Sequence, residues 1–195
     1  MHPLTLAFRE SLVSTNLPLE PVDMAFIRGF IPQVMESFQA SARDLKSDSH
    51  SYARTLGIPK TSANHIGLNT IGMLGDRLSI LVVKQYFAKT TEQKESTGMQ
   101  ISDIESAIAA SCPGSSSAFN KITTIHTDNL PDNFTGSVMK LAATNLLLWM
   151  AQDVLYLRGP DALPEQELRE YITFFAEQNV IRNRLIALSD YHYWI

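Results

Sequence analysis

Ten side chains in this 195-residue sequence have the types and spacing to do chemistry. Asp76 and Asp153 are carboxylates in otherwise apolar stretches. If burial raises its pKa toward neutrality, either can act as a catalytic acid or base. Arg77, Lys84 and Arg182 are cations able to hold an anionic group. Asn69, Asn145, Asn179 and Asn183 can orient hydroxyls or carbonyls. Trp149 offers an apolar body with a polar tip.

Helical spacing brings these residues together. At about 100° per residue, Asn69, Met73, Asp76, Ile80, Val83 and Phe87 share one face. That segment is apolar nearly all round, so it is expected to be central, with Asp76, Arg77 and Lys84 as partly buried, paired charges. Leu168, Ile172, Phe175, Asn179, Asn183, Ile186 and Asp190 form a second stripe. Gln166, Glu170, Glu177 and Arg184 lie opposite as its solvated side, and Arg182 lies near the stripe's edge. On a third segment Asn145, Trp149, Gln152 and Tyr156 align, with Asp153 beside them. The expectation is one polar cluster drawn from three helices. It serves either as a hydrogen-bonded layer that fixes helix register or as the floor of a pocket.

Asn69-Thr70-Ile71-Gly72, followed by Asp76-Arg77-Leu78-Ser79-Ile80-Leu81 and Lys84, resembles the opening motif of some small bacterial helical proteins of unknown function. The resemblance continues in Asn145 to Trp149, in Gln152-Asp153, and in Asn179, Arg182-Asn183 and Asp190. Gln152 stands where that pattern has glutamate. Such proteins are encoded among glycosyltransferase and cell-envelope genes, so the resemblance implies sugar or envelope chemistry by association. It implies no particular reaction.

The elements that must position these residues read as helices throughout. Pro3–Val13 predicts a short leading helix, and a second begins near Pro21, with Pro32 expected to kink or divide it. Tyr52–Asn64 reads as a loop and Gly67–Lys89 as a long helix. Lys89–Gly98 reads as a solvated linker or helix end, with Ser102 to Glu105 as the capping box of the next helix, which stops at Pro113-Gly114. A short piece follows near Ser117–Ile125. Asn133–Arg158 and Pro164–Asp190, joined across Gly159-Pro160, predict an antiparallel hairpin. The fold class expected is a single all-α domain over residues 1–195, an irregular bundle of about five to seven helices with a long C-terminal hairpin.

Composition narrows the function classes. Hydrophobic residues make up 45% and charged residues 18%, enough for a core and too apolar for a disordered chain. The net charge is −4, which argues against a nucleic-acid binder. Asn145, Gln152 and Asp153 interrupt the longest apolar segment, so a membrane span is not expected. One cysteine rules out an internal disulfide, and a cytoplasmic location is the expectation.

Other chemistry is not legible. No Glu-x-x-His pair appears, and no metal or cofactor is expected. His2, His50, His65, His126 and His192 read as solvated or capping residues. Cys112 has no neighbouring base, and Gly72 and Gly75 form no phosphate loop but suit close helix packing. Ser115 to Ser117 read as a loop, and the aromatic end from Tyr191 to Ile195 as a segment docked on the domain or on a second subunit. Two functions are therefore expected as alternatives. One is binding of a polar, sugar-like small molecule by the three-helix cluster, with a metal-free acid–base reaction as its catalytic version. The other is a non-catalytic homodimeric interaction module whose polar cluster is structural.

Overall fold

A computed structural model describes residues 1–18, 20–45, 70–110, 131 and 133–194. These form six α-helices with no strand among the described residues, an all-α bundle as expected. They are α1 (Pro3–Ser14), α2 (Met24–Leu45), α3 (Ile71–Tyr86), α4 (Thr91–Ala110), α5 (Phe134–Arg158) and α6 (Glu165–Trp194). The predicted loop at Tyr52–Asn64, the helix stop at Pro113-Gly114 and the short piece near Ser117–Ile125 lie outside the described residues, as do Cys112, His50, His65 and His126.

The helix ends follow from local chemistry. The His2 ring caps α1, its Nδ1 accepting from the Leu4 amide. Thr70 caps α3 through the Met73 amide, and Asn133 caps α5 through the Gly136 amide at 2.8 Å. Gly159 ends α5 with φ at 77°, a conformation open to glycine, and a short 3₁₀ turn at Pro160–Ala162 leads into α6.

Four sequence expectations are corrected. Of the two outcomes expected at Pro32, division does not occur: α2 runs from Met24 to Leu45 with Pro32 inside it. Pro32 is exposed, so the carbonyl it leaves unpaired can turn to water. The supposed linker Lys89–Gly98 is mostly helix. Its start is set by Thr90 and Gln93: the Thr90 hydroxyl accepts from the Gln93 amide, and the Gln93 side chain accepts from the Thr90 amide. This is the true capping box. Ser102 to Glu105 lie inside α4, where Glu105 instead receives the His2 amide at 2.8 Å and the Thr5 hydroxyl at 2.6 Å, tying α1 to α4. Third, α3 is not alone at the centre, since α5 is enclosed to the same degree. Helix α5 packs on α2, α3 and α6 and buries residues on every side, from Val138 and Met139 to Leu146 and Leu147. Fourth, the buried face of α6 carries Tyr171, Phe174, Gln178, Leu185 and Leu188, while Ile172 of the expected stripe is exposed. Helix α6 also runs past Asp190 to Trp194, where His192 Nε2 lies 3.1 Å from the Pro131 carbonyl oxygen.

The core is continuous. Phe8 and Leu12 of α1 and Ile27, Val34 and Phe38 of α2 join Leu78 and Val82 of α3 around α5. Helix α4 adds Ile101 and Ile108, and its first half is largely exposed. No helix of the described residues is long and apolar enough to cross a membrane.

Candidate functional site

Asp76, Asn145 and Arg182 do converge, one each from α3, α5 and α6. Arg182 donates to both oxygens of Asp76, Nε reaching Oδ1 at 2.7 Å and the terminal nitrogen reaching Oδ2. Asn145 Nδ2 donates to Asp76 Oδ1 at 2.9 Å and to Ser79 Oγ at 2.8 Å. Ser79 in turn donates to the Asp76 carbonyl at 2.8 Å. Asp76, Ser79 and Asn145 are buried, and Arg182 is about three-quarters buried. Its hydrogen bonds to Asp76 push the Arg182 guanidinium still higher. The carboxylate is thus met on both oxygens by a planar cation and on one by an amide, a bidentate geometry that holds position. Few acceptor directions remain for a substrate proton.

One turn toward the start of α3, Asp190 closes the same interface. Its Oδ1 accepts from the Gly72 amide at 2.7 Å, one of the unpaired donors of the first helical turn. A Cβ at Gly72 would stand 2.3 Å from the Ile186 carbonyl, so only glycine lets the backbones of α3 and α6 come this near. Burial pushes the Asp190 carboxyl above its ordinary range, and hydrogen bonds from Gly72 and Thr70 hold it back part of the way.

The other expected site residues are distributed elsewhere. Asn179 is half-buried, and its amide donates to the Phe175 carbonyl of its own helix at 2.9 Å. Asn183 is half-buried one turn further on. Asn69 lies outside the described residues. Asp153 is eight residues beyond Asn145 on α5, about 12 Å along the axis. It belongs to a different neighbourhood, where Trp149 stacks on Phe87 with ring centres 6.4 Å apart. Burial pushes the Asp153 carboxyl up, against the pull of the nearby Trp149 N–H and Lys89. The indole N–H is buried and makes no regular hydrogen bond among the described residues. Tyr156 is exposed and receives the Gln152 amide at 2.7 Å, so the last turns of α5 are the wet face.

Arg77 and Lys84 require a correction. Both are exposed, not partly buried. Side chains at these positions leave α3 roughly 80 to 100° away from Asp76, too far round to join the buried layer. They border instead a groove of about 390 Å³ between α3 and α4. Arg77, Ile80, Leu81 and Lys84 form one wall, and Gln100, Asp103 and Ile104 form the other. Among the described residues, neither cation is in an ion pair within 4.0 Å. The sequence placed Asp103 and Ile104 at the start of a predicted helix, but reading residues 89–98 as a linker left that helix's position along α3 open. The Thr90–Gln93 capping box was the signal that could have placed α4 along α3.

Fold and site together define an all-α bundle with a closed polar layer at its centre and an open cationic groove on one side. No family model, no curated protein and no solved structure matches the chain. Among the described residues, no group of three or more His, Cys, Asp or Glu is placed to hold a metal ion.

Proposed function

We propose that the protein binds a small polar molecule through an anionic group, and that the α3–α4 groove is where it does so. The observation that carries this reading is the pair Arg77 and Lys84, two exposed cations on one wall of the groove. A cation whose charge is not already taken by a neighbour is available to a ligand, and the apolar floor favours one with some hydrocarbon surface. Sugar acids and sugar phosphates fit this description, consistent with the envelope association of the resembling proteins. In this reading Asp76, Asn145 and Arg182 hold the bundle in register and Asn179 and Asn183 support α6. This reading carries no acid–base step, because Asp76 is saturated by Arg182 and Asn145 and Asp153 does not line the groove. The test is calorimetric titration with a hexose phosphate and with the parent hexose. Heat is expected from the phosphate alone, and the double variant Arg77→Gln, Lys84→Gln is expected to abolish it. Equal heats in the double variant would refute the assignment of the groove.

A second reading, a homodimeric interaction module, draws on Ile172 and Val180. They are exposed two turns apart on α6. Light scattering across a wide concentration range decides it. A dimer that Ile172→Lys dissociates would support this reading, and a monomer throughout would end it.

A further inference from the structure

The two cations of the groove are set well apart along α3. Arg77 and Lys84 are seven residues apart on α3, which separates their stems by about 10 Å along the axis and by only about 20° around it. Between them on the same wall lie Ile80 and Leu81, and Ile104 faces these from α4. Asp103 also lines the α4 wall. A compact anion held at the stem of one cation lies about 10 Å from the stem of the other. An elongated molecule with an anionic group at each end would meet both cations and lay its middle on the three aliphatic side chains.

We infer that the groove takes an elongated dianion, with charged ends about 10 Å apart and an apolar or hydroxylated middle. This rests on the anion-binding role of the groove and adds the shape of the ligand. Asp103, which lines the same groove, can accept a hydroxyl of the ligand. Each exposed charge contact contributes modestly, about 0.2–1 kcal/mol. The second charge is therefore expected to raise affinity by up to about fivefold.

The experiment is titration of the full chain with nonanedioate, nonanoate and glutarate, followed by amide chemical shifts. Nonanedioate carries two carboxylates about as far apart as the two cations. Nonanoate has the same chain with one carboxylate, and glutarate has both charges but too short a span. Nonanedioate is expected to bind tightest. Arg77→Gln and Lys84→Gln should each reduce it to the level of nonanoate while leaving nonanoate within about twofold in at least one of the two variants. Both side chains are exposed, so unchanged melting temperatures are expected and would exclude misfolding as the cause. If nonanoate or glutarate binds as well as nonanedioate, the two-ended ligand is overturned and the groove remains an anion site. If none of the three moves any groove amide and hexose phosphate gives no heat, the anion site itself is overturned.

Discussion

Asp76 and Arg77 are neighbours in the chain and opposites in the fold. Asp76 points into the bundle, where Arg182 and Asn145 take up its acceptor directions. Arg77 points out to a groove where no described acidic side chain pairs with it. One peptide step along a helix turns the side chain by about 100°, enough to move from a closed polar layer to an open surface. The difference separates two uses of polar residues. A charge whose partners are all supplied by the protein specifies how helices meet, whereas one left without partners can be completed by something else.

The comparison breaks most visibly at Asp76. Asp76→Ala leaves the Arg182 guanidinium largely buried without its partner. Breaking such a pair costs about 3–5 kcal/mol when fully buried, and Arg182 keeps some solvent contact, so a loss of about 3 kcal/mol is expected in urea unfolding. A loss below about 1 kcal/mol would place Asp76 among the surface pairs and remove its structural role. Gly72→Ala comes next. Its new methyl group meets the backbone of Ile186, which cannot rotate away, and overpacking of this kind costs about 1–3 kcal/mol.

A smaller effect should appear as pH dependence. The Asp190 carboxyl is held above its ordinary range in the folded state, so folding favours its protonated form. Its contribution to stability is greatest below the unfolded pKa and is lost as pH rises through the raised folded value. Asp190→Asn keeps an oxygen for the Gly72 amide and removes the titration. The melting temperature of the variant relative to the parent is therefore expected to climb over the range from the unfolded to the folded pKa and to level off above it. A constant difference across that range would mean that Asp190 titrates normally. The smallest effect belongs to the open side. Arg77→Gln and Lys84→Gln should each leave unfolding free energy within about 0.5 kcal/mol, as surface changes do.

Much of this contrast was legible in the sequence, though not all of it. The convergence of Asp76, Asn145 and Arg182 followed from helical periodicity, because polar residues set in apolar stripes need partners. The limits of α5 followed from Asn133 and from Gly159-Pro160, whose local chemistry dictates caps. Periodicity was less informative about direction where a helix is apolar nearly all round. It put Arg77 and Lys84 with the buried charges of α3, and it chose Ile172 over Tyr171 for the inner face of α6. In both cases several rotations of the helix satisfy the pattern, and only packing against α5 selects one. The groove was hidden for a simpler reason. The run from Lys89 to Gly98 is so polar that its exposed helix resembled a linker, although Thr90 and Gln93 already marked its start. Asp153 was singled out for its chemistry, and its carboxyl is indeed pushed up, but its distance along α5 removes it from the cluster.

The division between closed layer and open groove is tested most directly by mapping amide chemical shifts over the whole chain during titration with nonanedioate. The expected result is a set of shifts confined to Arg77, Leu81, Lys84, Gln100, Asp103 and their neighbours, with Asn145 and Arg182 unmoved. Shifts centred on Ser79, Asn145 and Arg182, with the groove silent, would contradict it and return the ligand to the three-helix cluster.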